Sequence, residues 1–126
     1  MQAETFLYMH GLLGNVELGH PRLRPLCRDD IERARLDELV KTTAKRARLT
    51  IALYEERPLR ERAAIGAMYE ACEAGLATLA LLGSLHAVGD VDVELQNTIH
   101  YLQQLISMLF EWAIPLAAPP TERAQR

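Results

Sequence analysis

The sequence predicts an all-α protein: an elongated bundle of three long helices behind an N-terminal arm or short extra helix, completed by dimerisation. Three observations carry that expectation. The seven glycines and six prolines fall in a few places and leave long stretches unbroken. Inside those stretches apolar residues return every three or four positions, the period of a helix face. The one alternating run, Val91-Asp92-Val93-Glu94-Leu95, reads more readily as the start of a helix than as a strand.

Residues 1–27 form the expected arm, because Gly11, Gly14, Gly19, Pro21 and Pro25 interrupt it. A short helix is accommodated over 4–13. The bundle domain covers 28–114. Its first helix begins at Arg28-Asp29-Asp30, which provides a cap and an acidic first turn suited to the positive end of the helix dipole. Leu36, Val40, Thr43, Ala47, Thr50 and Tyr54 then form one stripe, and Pro58 separates this helix from the next.

The second helix, from about Leu59 to His86, is apolar nearly all round, with Glu70 and Glu73 its only charges after Ala63. Ala63, Ala67, Ala71 and Gly75 give it a stripe with almost no side chain, where another backbone can approach closely. The third helix runs from Asp90 to Ala113 and buries Leu95, Ile99, Leu102, Ile106, Leu109 and Ala113. After Pro115, residues 115–126 have the composition of a flexible C-terminal tail.

At 1.5 Å per residue the first two helices span roughly 40 Å each. Three helices this long carry more apolar surface than they can cover for one another. A second copy is the commonest remedy, so a homodimer is expected, with Ala67, Ala71, Gly75 and Leu79 at the subunit contact.

Composition narrows the setting. Two cysteines without a CxxC pair suggest a reduced thiol protein, and the N-terminus lacks a basic leader followed by a cleavage site. The longest uncharged run, residues 74–89, is short of the roughly 20 residues that cross a bilayer. A cytoplasmic protein is expected.

Charge is segregated. Residues 22–62 hold twelve Lys or Arg against eight Asp or Glu, whereas residues 63–120 hold six acids and no Lys or Arg. Lys41, Lys45 and Arg48 share one face of the first helix, which reads as a solvated face or as a patch for an acidic partner. The net charge of −3 and the lack of an aromatic platform beside the patch argue against nucleic acid.

No catalytic, cofactor or metal constellation emerges. His10, His20, His86 and His100 include no HxxxH spacing, and the single ExxH, Glu17 to His20, falls short of the paired motif of a di-metal bundle. His10-Gly11-Leu12-Leu13-Gly14 has the look of an oxyanion loop without the nucleophile turn that would make one. Cys72 sits between Glu70 and Glu73, which disfavours a thiolate. Cys27 precedes a helix N-terminus, which favours one, and is the more reactive candidate.

Phe6, Tyr8, Met9, Phe110 and Trp112 are the expected partner contacts, since Phe110 lies off the main stripe and the others sit in the arm or near the third helix's end. The function expected is therefore non-enzymatic: a regulator acting by protein–protein interaction, in particular an anti-activator that sequesters a transcription regulator. A chaperone or adaptor for a secretion or flagellar export substrate is the alternative. A ligand- or metal-binding bundle with a catalytic role is an alternative of another class.

Overall fold

The computed structural model describes residues 2–56 and 61–117, with side chains described over 3–56 and 62–111. It is all-helical. The chain forms α1 (Gln2–Leu23), a single 3-10 turn at Arg24–Leu26, α2 (Asp30–Glu55), α3 (Glu61–Gly83) and α4 (Gly89–Ala117). Successive helices run antiparallel, and α1 closes the ring by packing along α4, so four helices rather than three share the core.

The arm expected over residues 1–27 is thus mostly a 22-residue helix. Each interior glycine costs about 1 kcal/mol of helix propensity. Against that, Phe6, Met9, Leu12, Leu13, Val16 and Leu23 all fall on the buried face, and each large apolar side chain removed from water contributes about 1.5–3 kcal/mol. Burial wins. Gly19 also serves the packing, since a Cβ there would stand 2.7 Å from Thr98 Oγ1 on α4.

The α2 helix begins as its sequence implies: Asp29 is the N-cap, its carboxylate accepting from the Glu32 amide at 2.8 Å. All six residues of its stripe are buried. The α3 helix stops at Gly83, short of His86, where the Ser84 and Leu85 amides and the Ser84 hydroxyl bond the carbonyls of Leu81 and Leu82. The α4 helix continues through Pro115 to Ala117, beyond the expected end at Ala113. Of the expected tail, residues 118–126 lie outside the described residues, as does Pro58.

The core has two apolar halves. One gathers around Met9, Ile51, Tyr54, Met68, Leu105 and Leu109, the other around Val16, Leu36, Leu82, Leu95 and Leu102. Thr43 and Thr78, 2% and 0% exposed, meet across α2 and α3 with their hydroxyls 3.1 Å apart. Thr78 donates its proton to the Ala74 carbonyl at 2.8 Å, so Thr43 is the donor in the pair. Beside them a Cβ on Gly75 would stand 2.7 Å from Ile106 Cδ1.

That contact corrects one expectation. Ala67, Ala71 and Gly75 do permit a close approach, but the approaching helices are α2 and α4 of the same chain, and all three residues are buried. Leu79 alone of the four stays half-buried. The apolar surplus that called for a second copy is covered in large part by α1.

By length and composition residues 62–83 of α3 would suffice to cross a membrane once Glu70 and Glu73 are included, although the uncharged run alone is too short. In the bundle their apolar character is accounted for on two sides, by α2 and by α4.

Candidate functional site: the groove between α3 and α4

The exposed side of the α3–α4 seam forms an apolar groove of about 380 Å³, lined by Leu76 and Leu79 on α3 and by Gln103, Ile106, Ser107 and Phe110 on α4. Its geometry follows from the two helices' registers. Gly75 lets α4 come close at Ile106, and the side chains on either side of that contact splay outward. Leu76 is 57% exposed and Phe110 49%. No charged side chain lines the groove, and its polar members are an amide and a hydroxyl. An apolar floor with two protruding large side chains is the usual anatomy of a contact surface.

The five expected partner contacts do not form one surface. Phe6 and Met9 are buried in the chain's own core and offer nothing to a partner in this conformation. The arm that was to carry them is a helix with its apolar face turned inward. Tyr8 is half exposed, but on the α1 side of α4, where its hydroxyl donates to Gln104 Oε1 at 2.9 Å. Phe110 is in the α3–α4 groove. Trp112 belongs to α4, and its side chain lies outside the described residues. Leu76 and Gln103 were not singled out from the sequence. Leu76 stands in a helix apolar on every side, where no period separates an exposed leucine from a buried one.

The basic face of α2 borders a second groove, about 620 Å³, between α1 and α2. Val40 and Ala44 line its apolar part, with Lys41, Lys45 and Arg48 on α2 facing Glu17 and His20 on α1. Arg48 is paired with Glu17. Asp37 is held by Arg24 at 2.9 Å and by His20 Nε2 at 2.7 Å. Arg24, then His20, draw the Asp37 carboxyl below the usual carboxylate range. Part of the expected solvated face is therefore stitched to α1 by ion pairs. A third cleft, about 330 Å³, follows the α1–α4 seam around Asn15, Asn97 and Tyr101, with Arg22 and Glu94 paired at one end.

Both cysteine thiols are withdrawn from solvent. Cys27 and Cys72 are both buried free thiols. Burial, and next the charge of Glu32, pushes the Cys27 thiol up, against the expectation that its place before a helix N-terminus favours a thiolate. Burial does the same to Cys72 and to the phenol of Tyr54, whose hydroxyl donates to the Leu109 carbonyl at 2.6 Å. Among the described residues no three His, Cys, Asp or Glu side chains gather closely enough to hold a metal ion. His86 and His100 are both exposed.

No family model matches this chain, and neither the curated proteins nor the solved structures offer a match. Function must therefore be argued from the grooves themselves.

Proposed function

We propose that this chain is a non-enzymatic protein-binding bundle, an anti-activator that sequesters a transcription regulator by occupying one of its helical surfaces. The observation that carries the reading is the uncharged groove at the α3–α4 seam with Leu76 and Phe110 protruding into solvent. Two antiparallel helices with an apolar furrow between them suit an amphipathic helix laid along it. The burial of both thiols and of the Tyr54 hydroxyl favours binding over catalysis.

The test is capture from native cytosol with the wild-type chain and with Phe110→Ala, after nuclease treatment. A folded transcription regulator retained by the wild type and lost by the variant supports the reading. Retention of an export substrate by the wild type would replace it with the chaperone function. A partner held equally by both proteins would move the contact off this groove. Light scattering on the same preparations decides whether the chain works as a homodimer.

A further inference from the structure

The charge around the groove specifies its occupant more closely. We infer that the α3–α4 groove takes a basic amphipathic helix, with its apolar side chains between Leu76 and Phe110 and its Lys or Arg side chains on Glu73 and Glu111. The inference rests on the docking reading above and names the chemistry of the partner.

Glu73 lies one turn before Leu76 on α3, and Glu111 follows Phe110 on α4. Antiparallel packing, fixed by the Gly75–Ile106 contact, sets both residues level with the Phe110 end of the groove, on the outer shoulders beyond its lining. Both residues are exposed, and neither has an ion-pair partner among the described residues. The cation that reaches α3 from α2, Arg46, donates to the main-chain carbonyl of Glu70 rather than to a carboxylate. Residues 63–120 contain no Lys or Arg at all, so nothing on α3 or α4 beyond Arg62 neutralises this rim.

Other occupants fit less well. A second copy seated on the same face would bring no Lys or Arg to these carboxylates, because its own α3 and α4 carry none beyond Arg62. An anionic membrane surface would be repelled by the same rim. Residues 118–126 contain no large apolar side chain to fill the groove. The groove residues on α4, from Gln103 to Phe110, occupy two turns, or about 10 Å, which matches apolar anchors at i, i+3 or i+4, and i+7 of a partner helix.

The experiment uses the full chain and two synthetic helical peptides of roughly 18 residues. They share one leucine face and differ only in carrying lysine or glutamate on the other. Affinity is measured by titration at low and high salt, and the binding surface by chemical-shift changes in the methyl groups of Leu76, Leu79 and Ile106. The basic peptide is expected to bind at least about tenfold more tightly than the acidic one, and to weaken as salt screens the rim. Phe110→Ala should weaken it by about tenfold or more. The Glu73→Gln/Glu111→Gln double variant should weaken it severalfold and flatten its salt dependence.

Equal binding of both peptides, still lost in Phe110→Ala, overturns the charge inference and leaves the docking reading standing. Binding of the basic peptide without shifts in the groove overturns both. No binding of either peptide overturns the inference, and the capture experiment then judges the docking reading separately. A dimer mass lost in Phe110→Ala assigns the groove to a second copy and overturns the inference as well.

Discussion

Replacing Thr78 by valine should cost more stability than replacing Thr43, although the two hydroxyls bond each other. The asymmetry comes from proton direction. In Thr43→Val, Thr78 still donates to the Ala74 carbonyl, and only a net hydrogen bond of about 0.5–1.5 kcal/mol is lost. In Thr78→Val, the Thr43 hydroxyl remains at 2% exposure with its acceptor gone. A stranded buried donor costs about 1–3 kcal/mol. The double variant strands nothing and should resemble Thr43→Val, so the two single costs overshoot the double by the Thr78→Val cost, about 1–3 kcal/mol. Urea denaturation of the four proteins measures this, provided the slope with denaturant is unchanged. Equal costs for the two single variants, or additivity in the double, would refute the assigned direction of the bond and show that Thr43 has another acceptor.

Three further outcomes are expected. Ala71→Leu should destabilise the fold by about 1–3 kcal/mol through overpacking, because Ala71 is 1% exposed inside the bundle; an unchanged melting temperature with a reduced light-scattering mass would instead place that stripe between subunits. Asp30, Glu32 and Asp37 are all held below their ordinary values, chiefly by hydrogen bonds from Arg33, Arg28 and Arg24 respectively. A lowered folded value stabilises the fold above the ordinary carboxylate range and is lost as pH falls through it, so the denaturation midpoint should hold steady near neutrality, drop below about pH 4.5, and drop less in Asp37→Asn. Finally, neither thiol should react with a thiol-specific reagent at about pH 8 in the native state, and both should react in denaturant; rapid native labelling of Cys27 would show that the α1–α2 turn opens.

The α2 helix was legible residue by residue, because its signals are local: a capping aspartate, a stretch without breakers, and a stripe at one helical period. The close approach at Gly75 was legible too, but not the identity of the helix that approaches. A missing side chain says that something comes near without saying whether it belongs to the same chain. The α1 helix was misread for the converse reason. Its glycines and prolines are local signals against a helix, whereas Phe6, Met9 and Leu13 gain their burial from α2, α3 and α4, far along the sequence. Phe110 could be picked out because it lies off the α4 stripe. Its neighbour Leu76 could not, because α3 is apolar all round and only the assembled bundle leaves that one side bare.

The pairing of α1 with α4 also sets an order of events during synthesis. The first helix made must wait for the last before the ring can close. Until Leu102, Leu105 and Leu109 have left the ribosome, the face of Met9, Leu12 and Leu13 has its principal cover missing. The hairpin of α2 and α3 can form in the meantime, since its partners are adjacent in the chain. Closure of the ring is the long-range step, and long-range steps are the slow and aggregation-exposed ones. A nascent chain stalled before residue 100 should therefore be a client of the cell's holding chaperones, and one released after residue 117 should not.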